Sequence, residues 1–159
     1  MKPKFIMTAL LLCSLAFSAF AQKSKPSDPV SKLIRLNEGY SSMVIEDDIS
    51  VVLTESNSNE IIIKGEEKSV EKVKVEVDDG RLILSYVSAG VPAAVKVYVP
   101  AALLSRVNIN GKSEVTSAST LNNPKLRVIV AGEGKVHLRS SGKVLVEGTD
   151  EFDFIRMTR

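Results

Sequence analysis

Alternation of apolar and polar residues is the dominant pattern of the chain beyond position 30. Segment 72–77 alternates lysine or glutamate with valine, and segment 95–99 alternates valine with Lys96 and Tyr98. This period of two is typical of a strand with one buried face. Similar runs, rich in β-branched residues, predict further strands at 32–36, 43–46, 50–54, 60–64, 81–87, 106–110, 126–131, 135–139, 143–147 and 152–156. The segment 114–117 is compatible with strand or loop.

Turn residues separate these runs. Asp79-Gly80 and Asn110-Gly111 favour the left-handed backbone angles of tight turns. Further glycines punctuate the C-terminal part, at Gly132, Gly134, Gly142 and Gly148. Only segment 66–72 has a composition that favours a helix, and it is long enough for one or two turns. The chain is therefore predicted to be all-β.

The C-terminal part favours one all-β architecture over the others. Val128, Val136, Val144 and Phe152 are spaced by eight residues, and glycines share that step. Regular recurrence of strand and corner is typical of a β-solenoid, in which each coil buries its inward side chains against the next. An antiparallel β-sandwich gives a similar rhythm and is the alternative.

The N-terminus has the features of a secretory signal peptide. Lys2 and Lys4 precede an apolar run, and Ala19-Phe20-Ala21 is a typical cleavage site. We expect a signal peptide at 1–21, a flexible lead-in at 22–29 and a single domain at 30–159. The apolar run is short for a membrane span. We therefore expect export to the periplasm or the cell surface, with no transmembrane segment in the mature chain.

Cleavage changes the charge and the cysteine content. The leader holds two of the 21 basic residues and none of the 19 acidic ones, so the remainder is balanced at 19 of each. A neutral chain is a poor candidate for binding nucleic acid. The single cysteine, Cys13, also lies in the leader. Leu12 precedes it where lipoprotein signals usually have a small residue, which argues against lipidation, although the alternative stays open.

Candidate phosphate-binding glycines lack the rest of their motifs. Gly111-Lys112-Ser113 matches the end of a phosphate-binding loop, but Arg106 occupies the position of the opening glycine. No helix is predicted after Ser113, although such a loop needs one. We interpret these glycines as corners of a β-structure, and we predict no cofactor.

Catalytic and metal-binding residues are equally scarce. His137 is the only histidine, and it alternates with Val136 and Leu138, so we expect it to face outward. Zinc sites draw mainly on histidine and cysteine. Acidic clusters at 46–48, 78–79 and 150–153 fall between strand runs, where solvated turns normally place charge. We predict no catalytic residue and no metal site.

One surface is a candidate for binding. Lys72, Lys74, Lys96 and Tyr98 occupy the polar positions of their strand runs, and an outward face that carries them would suit an anionic polymer or a partner protein. An ordinary solubilising surface is the alternative.

Two stretches resemble a known family. Gly39-Tyr40 leads into segments 43–45 and 51–54, and segment 73–84 contains the Asp79-Gly80 turn. These motifs, with the strand 95–100 and altered repeats at 111–115 and 132–136, resemble the family called "putative auto-transporter adhesin, head GIN domain", a domain of unknown function. The resemblance implies a right-handed β-helix-like fold in an exported cell-envelope protein, typically of Bacteroidetes-type bacteria, and supplies no catalytic residue.

The function that follows is a non-enzymatic, adhesin-like binding or structural module whose partner is an envelope protein or a glycan. Two alternatives remain open: a lyase-like enzyme acting on polysaccharides from a β-helix scaffold, and an accessory factor for envelope stress or assembly. An exposed terminal coil would allow a homo-oligomer to form, because unpaired strand edges favour such contacts.

Overall fold

Strands account for nearly all of the regular structure. A computed structural model describes residues 29–88 and 94–148, together with the backbone of Asp153–Arg156. The strands are β1 (Val30–Arg35), β2 (Ser42–Ile45), β3 (Ser50–Thr54), β4 (Glu60–Gly65), β5 (Val73–Asp78), β6 (Arg81–Tyr86), β7 (Lys96–Pro100), β8 (Arg106–Ile109), β9 (Glu114–Ser117), β10 (Lys125–Val130), β11 (Lys135–Leu138), β12 (Lys143–Gly148) and β13 (Asp153–Arg156). A short helix, α1 (Glu67–Lys72), precedes β5. The predicted all-β class and the predicted short helix are both confirmed.

The strands form two mixed sheets. The seven-stranded sheet has the order β1-β4-β7-β3-β9-β11-β13, and the six-stranded sheet has the order β12-β10-β8-β2-β6-β5. Inward side chains of both sheets belong to one hydrophobic core. The outward faces of the two sheets therefore lie on opposite sides of the molecule.

The chain passes back and forth between the two sheets. From β6 to β13 each strand lies in the sheet opposite to the strand before it, and strands that become neighbours within a sheet pair in parallel. The earlier pair β2 and β3 is inserted into this stack, because β2 lies between β6 and β8 while β3 lies between β7 and β9. The N-terminal strands are thus surrounded by strands that come later in the chain.

Inward residues stack in rows across successive coils. In the six-stranded sheet one such row joins neighbours that occupy matching positions: Leu82, Met43, Val107, Val128 and Val146. The first four are fully buried, and the last is half-buried at the end of the sheet. Burial of large apolar side chains is the main stabilising contribution to such a stack, at roughly 25 cal/mol per Å² of apolar surface.

The two ends of the stack differ. At one end β5 pairs antiparallel with β6, and β1 and β4 extend the other sheet by antiparallel pairing next to β7. The helix α1 contacts β1, β4 and β5 at that end, and its Val70 is buried. At the other end the described strands finish with the parallel strands β12 and β13. We call these the capped end and the open end.

Three details correct the sequence analysis. The antiparallel sandwich is wrong, because β1–β4, β4–β7 and β5–β6 are the only antiparallel pairings among the described strands. The eight-residue spacing does not correspond to one full coil. Val128 lies beside Val146, 18 positions later, so eight residues carry the chain only from one sheet to the other. Asp79 and Gly80 do have positive φ angles, of 49° and 69°, but Gly111 does not.

Candidate functional site

The segment that resembles a phosphate-binding loop is a corner between β8 and β9. The Ser113 hydroxyl donates a 2.7 Å hydrogen bond to the carbonyl oxygen of Asp47 and accepts one of 3.3 Å from the N–H of Ile49. A Cβ atom on Gly111 would lie 2.7 Å from the carbonyl carbon of Asp47. The segment is followed by a strand rather than by the helix that a phosphate loop requires. Its residues hold adjacent coils together.

The next corner repeats this close approach. A Cβ atom on Gly132 would lie 2.5 Å from the carbonyl oxygen of Asn110, so glycine permits one corner to stack on another. Lys112 and Glu133 form a 2.7 Å ion pair between these corners. Their hydrogen bond raises the pKa of Lys112 and lowers the pKa of Glu133. The lysine that a phosphate loop would use is therefore paired with a carboxylate.

The histidine and the described acidic residues form no shared metal-binding group. His137 lies half-buried on the outward face of β11, beside Thr116 of β9. Asp47 and Asp48 accept hydrogen bonds from the backbone N–H groups of Tyr86 and Lys112, at 2.7 and 2.8 Å. Within the described residues no group of three histidine, cysteine or acidic side chains is placed to hold a metal ion. The side chains of the acidic cluster at 150–153 lie outside the described residues.

The four residues of the predicted binding surface fall into two groups. Lys72 ends α1, and Lys74 faces outward on β5, where it forms a 2.7 Å ion pair with Glu76. Lys96 and Tyr98 face outward on β7, in the other sheet. Because the two outward faces lie on opposite sides of the core, the residues do not share one face.

A lysine pair adjoins Tyr98 on the seven-stranded sheet. Lys64 of β4 lies directly opposite Lys96, and its ammonium nitrogen is 5.1 Å from the centre of the Tyr98 ring. Like charges placed opposite each other on neighbouring strands are destabilising. Neither lysine forms an ion pair with a described acidic residue. The half-buried Ile62 and Val52 flank Tyr98 on either side.

We call this surface, formed by Lys64, Lys96, Tyr98, Ile62 and Val52, the lysine–tyrosine face. It offers two positive charges, an aromatic ring and flanking apolar side chains on neighbouring strands of one sheet. The ammonium of Lys64 over the ring is a cation–π contact. Sequence reasoning missed Lys64, because only the pairing of β4 with β7 places it beside Lys96.

The outward face of the six-stranded sheet carries a row of arginines. Arg81, Arg106 and Arg127 occupy matching positions, with Ser42 between the first two. Asp78 pairs with Arg81 at 3.2 Å, and Glu147 pairs with Arg127 at 2.8 Å. These carboxylates offset most of the positive charge, so this row is a weaker candidate than the lysine–tyrosine face.

A shallow hollow lies beside the end of β7 and the loop that follows β3. It is lined by loop 56–59, Tyr40, Pro100 and the exposed Leu103. The Tyr40 hydroxyl is already used in a hydrogen bond to the carbonyl oxygen of Pro100. The hollow contains no titratable pair, so its geometry supports no catalytic role.

Together, the strands define an all-β module of two mixed sheets around one hydrophobic core. No helix among the described residues has the length and apolar character that crossing a membrane would require. The chain belongs to the family described as "Putative auto-transporter adhesin, head GIN domain", whose model matches residues 39–149. This confirms the resemblance found in the sequence. None of the curated proteins matches the chain.

Several solved structures share the fold. A "putative adhesin" from Bacteroides fragilis aligns with a TM-score of 0.68 at 18% identity, over 80% of this chain and 62% of that protein. A "putative lipid binding protein" from Parabacteroides distasonis aligns with a TM-score of 0.63 at 17% identity, over 82% and 60%. A "putative adhesin" from Parabacteroides merdae gives 0.58 at 19% identity, over 82% and 53%. The chain therefore spans less than two thirds of the length of these proteins.

Proposed function

We propose that this chain is an exported, non-enzymatic adhesin-like module that binds an acidic polysaccharide on the lysine–tyrosine face. The observation that carries the proposal is the Lys64–Lys96 pair, in which two lysines occupy directly opposite positions on neighbouring strands with no described carboxylate paired to either. A bound carboxylate would relieve their repulsion. Membership of an adhesin family supports a binding role.

The choice of a polysaccharide over a protein partner rests on the shape and chemistry of this face. Protein interfaces of ordinary affinity need a central cluster of buried apolar anchors. Here Tyr98 is only half-buried, and the charged lysines lie beside it. A flat aromatic ring beside two cations suits the apolar face of a sugar ring that bears a carboxylate. An acidic chain lying across the strands would contact both lysines.

We further propose that the coils form a right-handed β-helix. From β8 onward, each strand reaches its next parallel neighbour in the same sheet by way of one strand in the opposite sheet. Crossover connections between parallel strands of one sheet are right-handed in the great majority of proteins, because strand twist favours that hand.

We also propose cleavage after Ala21. Intact-mass analysis of exported protein tests this: a chain starting at Gln22 without acyl mass supports cleavage and excludes lipidation at Cys13.

The binding experiment uses immobilised polygalacturonate as the acidic polymer and dextran as the neutral one. We expect binding to polygalacturonate that weakens with added salt, because ion pairs at exposed sites are screened. The double variant K64E/K96E should bind at least about tenfold more weakly, since it replaces attraction by repulsion. Tyr98→Ala should also weaken binding by removing the ring platform.

Lys125→Glu is the matched control, because it reverses an exposed lysine on the other sheet. If K125E abolishes binding while K64E/K96E does not, the site lies on the arginine-bearing face and the proposed location is wrong. If neither polymer binds, and cross-linking captures an envelope protein in a K64E/K96E-sensitive manner, the partner is a protein.

A lyase-like activity is the competing function. Incubation of the protein with polygalacturonate, with and without Ca²⁺, would generate an ultraviolet-absorbing unsaturated product if the chain cleaved the polymer by elimination. We expect none, because no described group of three histidine or acidic side chains is placed to hold the Ca²⁺ ion that such an activity would use. Turnover that follows the purified protein would overturn the non-enzymatic assignment.

An accessory role in envelope stress or assembly would instead appear as a stress phenotype on deletion.

A further inference from the structure

The open end of the stack presents an unpaired strand edge. β12 pairs with β10 on one side, and no other described strand pairs with its second side. Two of its inward residues, Val144 and Val146, are half-buried, whereas their neighbours Leu126 and Val128 in β10 are fully buried. Stacked β-structures need a cap at each end for solubility. The capped end has α1 and antiparallel strands in that role.

The backbone groups on this edge can be identified. The N–H of Lys143 donates to the carbonyl oxygen of Pro124, so the backbone groups of Lys143 point toward β10. Because directions alternate along a strand, Leu145 and Glu147 point the same way, and the N–H and C=O groups of Val144 and Val146 point outward from the sheet edge. This row is a template for another strand.

The sequence of β12 is complementary to itself. We propose that β12 pairs antiparallel with β12 of a second copy of this chain, in a register centred on Leu145. Lys143 then lies opposite Glu147 of the second copy, Leu145 meets Leu145, and Val144 exchanges backbone hydrogen bonds with Val146. The Lys143–Glu147 positions are non-hydrogen-bonded pairs, in which opposite side chains approach most closely.

The charges of β12 are available for this contact. Lys143 forms no ion pair with a described residue. Glu147 accepts hydrogen bonds of 3.1 and 2.8 Å from Arg127 on the same carboxylate oxygen, Oε1, which leaves Oε2 to meet a lysine. Registers centred on Val144 or Val146 place no lysine opposite a glutamate. Charge complementarity therefore selects the register centred on Leu145.

The strand at the edge of the capped end provides a contrast. β5 carries Lys74 and Glu76 at a spacing that would also allow self-pairing, but these two side chains already form a 2.7 Å ion pair with each other. α1 contacts this strand as well. Lys74 of β5 is paired within the chain, whereas Lys143 of β12 has no described acidic partner.

The proposed pairing gives a closed dimer with two-fold symmetry. A two-fold axis along the sheet normal places β12 beside β12 in one layer and brings β13 toward β13 in the other layer, because both strands border the open end. An isologous contact of this kind uses the same edge of both copies and leaves none for a third. The expected assembly is therefore a dimer rather than a filament.

Sedimentation velocity of the purified protein over a concentration series tests the proposal. The unaltered protein should form dimers. Both K143E and E147K should raise the dimer dissociation constant at least about tenfold, because each places like charges opposite each other at both symmetric positions. An equimolar mixture of the two variants should form dimers again, since the glutamate introduced by one faces the lysine introduced by the other.

A second variant tests the strand edge without changing charge. Val146→Pro removes an N–H that points outward from β10, so the internal ladder keeps its hydrogen bonds while the edge loses a donor. It should also shift the protein to monomer, with an unchanged far-ultraviolet circular dichroism spectrum. Lys74→Glu is the control, because it reverses an exposed lysine on β5, the edge strand at the capped end of the same sheet, and should leave the dimer intact.

Several outcomes would overturn the proposal. A protein that stays monomeric at its highest soluble concentration excludes it, as does a mixture of K143E and E147K that remains monomeric while both variants are folded. Dissociation by K74E but not by K143E would assign the contact to the capped end. Polysaccharide binding by a monomer would leave the lysine–tyrosine face standing, so the two proposals fail separately.

Discussion

The hydroxyl of Tyr40 donates a 2.7 Å hydrogen bond to the carbonyl oxygen of Pro100. Both residues are buried, so the bond joins the entry of β2 to the end of β7 inside the protein. Tyr40→Phe should lower the free energy of unfolding by about 1–2 kcal/mol, because the carbonyl group loses its donor and stays buried. Urea unfolding measures this. Tyr98→Phe, at a more exposed ring, should change stability much less.

The same tyrosine should make stability depend on pH in the alkaline range. Burial raises the pKa of Tyr40 above its ordinary value of 10.0. The unfolded chain therefore ionises at Tyr40 first, so stability is fully present below pH 10.0 and declines as the pH rises above it. The decline should be shallower in Tyr40→Phe. Equal slopes in thermal unfolding of the two proteins between neutral and alkaline pH would contradict this assignment.

The corner glycine Gly111 should not tolerate a side chain. Gly111→Ala places a methyl group against the backbone of Asp47, which should cost about 1–3 kcal/mol of stability through overpacking. Gly39→Ala is the control, since nothing lies within 4 Å of its added Cβ. Denaturant midpoints of the two variants test the difference. Equal midpoints would show that the corner can relax.

Ser113 should behave as a structural residue rather than as a phosphate ligand. Ser113→Ala removes the partner of both the Asp47 carbonyl oxygen and the Ile49 N–H, and should cost about 1–3 kcal/mol. Lys112→Ala, at an exposed position, should leave the unfolding midpoint unchanged. If ATP or inorganic phosphate raised the melting temperature and S113A removed that effect, the corner interpretation would fail.

The side chain of Asn123 forms buried hydrogen bonds with backbone carbonyl groups. Its side-chain amide donates to the carbonyl oxygens of Ala101 and Leu104, at 2.6 and 2.7 Å, and the residue is 2% exposed. Asn123→Asp should destabilise the protein by about 3 kcal/mol or more at neutral pH, because a buried carboxylate would face carbonyl oxygens.

Lowering the pH should reduce the loss of stability that Asn123→Asp causes. Burial raises the pKa of the carboxyl group introduced by N123D, and its protonated form can again donate one hydrogen bond. The gap to the unaltered protein should therefore shrink as the pH falls below neutrality. Asn122→Asp, at the exposed neighbouring position, is the control and should show no such recovery. Melting temperatures across a pH series test both variants.

Local patterns were sufficient for much of the fold. The alternation in segment 95–99 correctly predicted β7 and the inward direction of its valines, and the β-branched run at 126–131 correctly predicted β10. Asp79-Gly80 correctly predicted a two-residue hairpin turn between β5 and β6. These features depend on neighbouring residues alone: a period of two decides which side chains share a face, and few residues adopt positive φ.

The candidate site could be predicted only in part. Lys96 and Tyr98 were expected to face outward together, and they do, but Lys74 belongs to the other sheet. Lys64, which completes the lysine pair, gave no local signal. The spacing of eight was visible in the sequence and favoured a solenoid, but it could not show that eight residues carry the chain only from one sheet to the other, because a step between two sheets and a full coil produce the same kind of regularity.

The sequence by itself determined which segments become strands, which side chains are buried and where tight turns occur, because local sterics and hydrophobic burial act on each segment separately. Only the tertiary structure decided that β2 and β3 are inserted between later coils, that Lys64 faces Lys96 and that β12 borders an open end. Any amphipathic strand can pair with many others. The pairing that forms is the one that packs all the inward rows into a single core. It therefore depends on contacts between segments that are distant in the sequence.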